Sequence, residues 1–184
     1  MGNLVSSEGL KPDPKKIEAI VNMPRPTDVT SLLGMVKYLA LYIPNESAIT
    51  QPLRELLKKY AEWTWHPEHD KALDNLKAML TSIPALAFYD VTKPVIIQAE
   101  ASQSRLGACI LQKGKPVAYA SRAMTQAEQN YAQIEKEMLA ICFATSKFHQ
   151  YVYGKSAVSV QTDHKPLESI LKNHYARHHQ DYRD

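Results

Sequence analysis

The stretch Val95-Ile96-Ile97-Gln98-Ala99-Glu100-Ala101-Ser102-Gln103-Ser104-Arg105-Leu106-Gly107-Ala108-Cys109-Ile110-Leu111-Gln112-Lys113-Gly114-Lys115-Pro116-Val117-Ala118-Tyr119-Ala120-Ser121 decides the fold. Val95–Glu100, Leu106–Gln112 and Val117–Ser121 are short apolar or β-branched runs, and Lys113-Gly114-Lys115-Pro116 supplies a turn between the last two. Three successive strands with short links predict an antiparallel meander. Beyond it, Thr125 to Tyr151 is the longest helical pattern, with Ile134, Met138, Leu139, Ile141, Cys142 and Phe148 on the expected buried side. Thr125 with Glu128 forms a capping box at its start. After Gly154, Ala157–Thr162 reads as a fourth strand, and the intervening helix lets it run parallel to a meander strand. A last helix is expected over Pro166–Lys172, and Asn173–Asp184, nearly free of aliphatic residues, reads as a flexible tail.

Upstream, the period changes from two to between three and four. Lys15–Val21 is a short helix that must end before Met23-Pro24-Arg25-Pro26, because proline disfavours helical geometry in the residue before it. Thr27-Asp28 cap a second helix, Val29 to Ile43, whose apolar positions Val29, Leu32, Leu33, Val36, Leu39, Ala40 and Ile43 share one face; Pro44-Asn45 stops it. A third segment opens at Gln51-Pro52-Leu53, and a fourth begins near Pro67 and carries Leu73, Leu76 and Leu80. The expected organisation is a small helical subdomain over 1–84, a mixed-sheet domain over 85–172 in β-β-β-α-β-α order, and a tail over 173–184. The class is α/β, of the α+β kind.

With 184 residues, 45% of them hydrophobic and 22% charged, the chain has enough apolar material for one domain or two small ones and excludes a large multidomain enzyme. A net charge of +3 is too mild to imply nucleic-acid binding, so that inference must rest on particular residues. Cys109 and Cys142 both lie in apolar runs and belong to no CxxC pair; they read as buried free thiols of a reducing compartment. No run of about 18 apolar residues suggests a membrane span, and an intracellular protein, cytoplasmic or nuclear, is expected. The start Met1-Gly2-Asn3-Leu4-Val5-Ser6 fits an N-myristoylation pattern at Gly2, although truncation of a longer chain would leave the same letters.

Acidic residues carry the chemistry. Glu100 ends the first strand, Glu137 lies in the long helix and Asp163 follows the fourth strand. With first and fourth strands adjacent and the helix packed across them, the three carboxylates would converge at one sheet edge. Hard oxygen ligands so grouped suit Mg²⁺ or Mn²⁺, and two such ions can activate water and stabilise a leaving oxygen in phosphodiester cleavage. Ordinary surface acids are the competing reading. His174, His178 and His179 read as a solvated tail rather than a metal site. Lys113, Lys115, Arg122, Lys147 and Lys155 are candidates for backbone phosphate contacts but are not clustered, and Tyr60, Trp63 and Trp65 read as core or interface anchors.

Several motifs stand in a fixed order: Gly9-Leu10-Lys11-Pro12-Asp13, Leu33-Gly34-Met35-Val36-Lys37-Tyr38-Leu39, Tyr42-Ile43-Pro44-Asn45, Trp65, Thr81-Ser82-Ile83-Pro84, Ala101-Ser102, Leu106-Gly107-Ala108, Pro116-Val117-Ala118-Tyr119-Ala120-Ser121-Arg122, Asn130-Tyr131, Glu135-Lys136-Glu137-Met138-Leu139-Ala140 and Thr162-Asp163-His164-Lys165-Pro166-Leu167. Through them the chain resembles the Pol polyprotein of gypsy-like long-terminal-repeat retrotransposons, from the reverse transcriptase thumb and connection into a truncated RNase H-like domain, over about residues 2–172. The resemblance implies a two-metal endoribonuclease acting on RNA–DNA hybrids, with Glu100, Glu137 and Asp163 as catalytic metal ligands and Mg²⁺ or Mn²⁺ as cofactor. It also implies that the polymerase aspartates lie upstream of residue 1 and a fourth acid lies beyond the chain's end. Two departures stand out: the segment Thr27–Leu33 is shorter than the family pattern by nearly one helical turn, and Glu100 stands where the family carries Asp, one methylene longer than a closely placed ligand tolerates. His164 matches a family position that is structural or adjacent to substrate.

Two functions follow. One is a weak or degenerate hybrid ribonuclease; the other is a domesticated, non-catalytic module that binds protein or nucleic acid through the retained fold. A helix-mediated oligomerisation module is a third and poorer reading.

Overall fold

The computed structural model describes residues 3–7, 9–59, 63–155, 158–164 and 167. The helix expected over Pro166–Lys172, except Leu167, and the tail with its histidines lie outside these residues, as do Gly2 and Tyr60.

The chain opens with a hairpin that the sequence did not announce: β1 (Asn3–Ser6) pairs antiparallel with β2 (Gly9–Pro12). Leu10 then exchanges backbone hydrogen bonds with Leu86, at 2.8 and 2.9 Å. Gly9, at φ +137°, is the residue that permits this approach, since a Cβ there would stand 2.1 Å from the Leu86 carbonyl oxygen.

Helix α1 (Pro14–Val21) starts where Asp13 accepts the Lys15 N–H, and α2 (Val29–Leu39) where Asp28 accepts the Thr30 N–H. Instead of continuing to Ile43, α2 tightens into a 3-10 turn at Ala40–Tyr42, and Ile43 is extended before Pro44. Two short helices follow, α3 (Glu46–Ile49), which carries no sequence signal of its own, and α4 (Gln51–Glu55). Then comes α5 (Pro67–Thr81). Their shared core contains Ile20, Val29, Leu32, Val36, Leu39, Leu53, Leu76 and Leu80, all at most 1% exposed. Each contributes about 1.5–3 kcal/mol of burial free energy. Trp65 packs on this core and donates from Nε1 to Asp70 at 2.7 Å, whereas Trp63 is half exposed.

The second core belongs to the sheet. Strands β3 (Val95–Ala101), β4 (Arg105–Gln112) and β5 (Lys115–Ala123) form the expected meander, and β6 (Val158–Gln161) lies parallel to β3, giving the order β5-β4-β3-β6. Lys113 and Gly114 both take positive φ, 52° and 73°, the backbone a tight right-twisted hairpin needs. Along β3, Val95, Ile97 and Ala99 face the core and Gln98 and Glu100 face the other way, as the period of two requires.

The long helical stretch differs from the single helix expected over Thr125–Tyr151. It divides into α6 (Gln126–Gln129), α7 (Gln133–Lys147) and α8 (His149–Val152). The Thr125–Glu128 box does start α6, but a new helix begins after Ala132, whose extended backbone offers its N–H to Glu135 Oε2 at 2.8 Å. The buried face of α7 is also turned from expectation: Lys136, Glu137, Ala140 and Ala144 are buried, Leu139, Ile141 and Phe143 flank the contact, and Cys142 is exposed. Small residues at 140 and 144 let the helix lie close to the strands, which pushes the larger side chains to its flanks. The reading of both cysteines as buried is therefore corrected: Cys109 is half-buried, with burial pushing its thiol pKa up to about 11, and Cys142 is at the surface. No helix among the described residues is long and apolar enough to cross a membrane.

Candidate active-site cleft

A cleft of about 670 Å³ opens on the face of the sheet opposite α7, between β3, β4, β5, the end of β6 and the Pro44-Asn45 corner. Its position follows from pleating. Gln98 and Glu100 point into it from β3, and Gln98 Nε2 donates to Gln161 Oε1 at 3.0 Å, tying β3 to β6 beneath the opening. Glu100 pairs in register with Gly107 of β4, so its side chain lies over a residue that has none. Asp163 closes the cleft just past β6, where the Thr162 hydroxyl accepts the His164 N–H at 3.2 Å and turns the chain.

Glu137 reaches the same end of the sheet from α7, but it is 4% exposed and is absent from the cleft lining. Its Oε1 accepts from Gln133 Nε2 at 2.8 Å, and Gln133 Nε2 also reaches the Ala101 carbonyl at 3.3 Å. Burial raises the Glu137 pKa above the ordinary carboxylate value; the Gln133 hydrogen bond opposes this, the Asp163 charge adds to it, and the Ala101 N–H and His164 oppose it more weakly. Glu137 Oε2 and His164 Nδ1 are both buried without a hydrogen-bond partner among the described residues.

Each expected acid therefore has a defined place. Glu100 and Asp163 share the cleft, and Asp163 acts electrostatically on Glu137. The three do not gather into one set: among the described residues no group of three or more His, Cys, Asp or Glu side chains is placed to hold a metal ion. Mg²⁺ binds with near-octahedral oxygen ligands at about 2.0–2.1 Å. The carboxylates as arranged do not form such a ligand set among the described residues, and the unpartnered Glu137 oxygen is buried.

Two residues of this region carried no sequence signal of function. Gln133, four residues before Glu137 on α7, orients its carboxylate, which i,i+4 helical spacing makes readable once α7 is known to begin at Gln133. Asn45 enters the cleft from the helical segment; it ends the Tyr42-Ile43-Pro44-Asn45 motif, but no local pattern announces a contact so distant in sequence. Of the basic residues considered for phosphate contact, Arg122 forms a bidentate pair with Glu128 at 2.8 and 2.9 Å, and Lys155 Nζ is bonded to the carbonyls of Val91 and Lys93. No lysine or arginine among the described residues lines the cleft.

Comparison with known proteins gives this arrangement a lineage. The sequence profile described as an RNase H-like domain found in reverse transcriptase matches residues 65–160, a span that begins at Trp65, takes in α5 and the meander and ends within β6. The chain is 37% identical over 171 residues to the retrovirus-related Pol polyprotein from transposon 297 of Drosophila melanogaster, covering 91% of this chain and 16% of that protein. It is 34% identical over 182 residues to the corresponding polyprotein from transposon gypsy of the same fly, covering 91% and 18%. The chain thus spans under a fifth of the length of either relative. Among solved structures, the foamy viral protease-reverse transcriptase in complex with RNA/DNA hybrid superposes with a TM-score of 0.80 at 25% identity, over 88% of this chain and 23% of that one. The mixed β5-β4-β3-β6 sheet, the helix packed across it and the family match over 65–160 together place the chain in the family of RNase H-like domains found in reverse transcriptases, within the Pol lineage of gypsy-like transposons.

Proposed function

We propose that the chain is a hybrid-engaging RNase H-like unit of a retroelement Pol polyprotein whose cleft is short of hydrolytic competence. The observation that carries this reading is the placement of the acids. Glu100 and Asp163 face one cleft while Glu137 is buried behind it, and no three acids gather among the described residues. Two carboxylates in a cleft without a basic lining residue repel a phosphodiester, so backbone contacts must come from outside it. Support for the ligand class comes from the fold shared with a reverse transcriptase solved on an RNA/DNA hybrid. Mg²⁺ or Mn²⁺ belongs to this reading as the cofactor of the ancestral reaction; the present carboxylate placement does not assemble its ligand set.

The test is a titration of a fluorescent RNA–DNA hybrid with the 184-residue chain in EDTA, followed by addition of Mg²⁺. The reading expects a saturable anisotropy increase that is the same for wild type and Asp163→Asn, and no cleavage above that variant when Mg²⁺ is added. Absence of hybrid binding overturns the ligand class, and Asp163-dependent cleavage overturns the loss of competence.

A further inference from the structure

The Pro44-Asn45 corner is held firmly against the sheet. Glu46, 5% exposed, accepts from Arg54 Nη2 at 2.8 Å and from Thr50 Oγ1 at 3.0 Å, and the Ser47 N–H donates to Ser121 Oγ of β5 at 3.0 Å. These contacts fix the backbone on which Asn45 sits. Asn45 itself is left-handed, φ 54° and ψ 32°, a conformation that asparagine tolerates better than most residues. It precedes α3, yet its side chain makes no capping hydrogen bond to that helix.

The carboxamide is directed over β4 instead. A Cβ built on Gly107 would stand 3.0 Å from Asn45 Oδ1, 3.0 Å from Glu100 Oε1 and 3.2 Å from Glu100 Cγ. The Glu100 side chain therefore lies flat across Gly107, its register partner, and the Asn45 amide converges on the same point from the helical segment. An amide oxygen and a carboxylate oxygen repel one another. The two ends of a carboxamide are nearly isosteric, so turning it places Nδ2, a donor, on the side of the carboxylate where the unturned group places an acceptor.

From this convergence we infer that Asn45 is a positioning residue for Glu100: its Nδ2 donates to the Glu100 carboxylate above the bare Gly107 backbone, so the cleft is complete only with the helical segment seated on the sheet. The inference rests on the reading that this cleft is the RNase H-like site of the fold, whether or not it cleaves. It also explains how the longer Glu100 arm is accommodated, because any side chain at 107 would occupy the space where that arm lies.

The test follows the Asn45 side-chain amide by ¹⁵N–¹H NMR in the full chain, without nucleic acid, so that its outcome is separate from that of the hybrid titration. Asn45→Gly identifies the signal by its loss and keeps the left-handed backbone available. Glu100→Ala is expected to move the Asn45 amide protons upfield and to speed their exchange. Asn45→Gly is expected to move the Glu100 Cδ resonance while the backbone spectrum stays dispersed, and Asp163→Asn to leave the Asn45 amide where it was. An Asn45 amide that ignores Glu100→Ala, or responds equally to Asp163→Asn, overturns the proposal.

Discussion

The Ser47 N–H donates to the Ser121 hydroxyl at 3.0 Å, joining the start of α3 to β5 across 74 residues of chain. Ser47 is 6% exposed, so this donor has little access to water in place of its partner. Ser121→Ala leaves a buried N–H unpaired and is expected to cost about 1–3 kcal/mol, read as a lower urea midpoint at unchanged slope. A midpoint equal to that of wild type would show that the two segments are not joined here.

Gly107 is where helical segment and sheet converge. Gly107→Ala places a methyl 3.0 Å from two oxygens and 3.2 Å from Glu100 Cγ, closer than ordinary van der Waals contact. Relief of the contact falls on the Glu100 and Asn45 side chains, and the strained rotamers are expected to destabilise by about 0.5–1.5 kcal/mol. The companion Gly34→Ala, where an added Cβ meets nothing within 4 Å, is expected to stabilise helix α2 by a few tenths of a kcal/mol to about 1 kcal/mol. Parallel thermal melts compare the pair, and equal shifts would contradict the geometry.

Two carboxylates give opposite pH dependences. The Arg122 guanidinium, first among the causes, and the Thr125 N–H hold Glu128 at a pKa of about 2, below the ordinary 4.5. A depressed acid stabilises fully above its unfolded value and loses that contribution as pH falls through the folded one. Glu128→Gln is therefore expected to flatten the loss of stability between about pH 4.5 and pH 2. Glu137 is raised, chiefly by burial, so its ionisation opposes folding as pH climbs above the ordinary carboxylate value. Glu137→Gln keeps the acceptor for Gln133 and removes that cost; the variant is expected to be more stable than wild type at pH 7 and equal to it near pH 4. Urea denaturation at the two pH values decides, and a less stable Gln variant at pH 7 contradicts the assignment.

The thiols differ in kind. Cys142 is exposed on α7, whereas burial pushes Cys109 up to about 11. A maleimide at pH 7 is expected to modify Cys142 promptly and Cys109 only slowly, by mass spectrometry of the intact chain and its peptides. Prompt double labelling would place β4 differently.

The sheet was legible in the sequence because its signals are local. The β-branched runs at Val95–Ile97 and Val158–Val160, the Lys113-Gly114 turn and one crossover helix define three antiparallel strands and a parallel fourth. What was not legible depends on distant contacts. The β1–β2 hairpin lacks alternation and is anchored by Leu86, over 70 residues away. Reading α7 by hydrophobicity placed Cys142 inward, because the close approach of helix to sheet is made by Ala140 and Ala144, which periodicity counts as weak signals. For the acids, sequence order located Glu100 and Asp163 at the same cleft, but strand pleating and the depth of α7 set Glu137 behind it, and no spacing rule reports depth. Asn45 was out of reach for the same reason as the hairpin.

The proposal that the cleft lacks hydrolytic competence is tested most directly by product formation from an RNA–DNA hybrid labelled on the RNA strand, incubated with the full chain in Mg²⁺ and separately in Mn²⁺, beside Asp163→Asn. Intact RNA at the level of the Asp163→Asn control is expected in both metals. RNA fragments that accumulate with the wild-type chain and disappear with Asp163→Asn would contradict it, and would mean that Glu100, Glu137 and Asp163 assemble on the hybrid into a set they do not form in its absence.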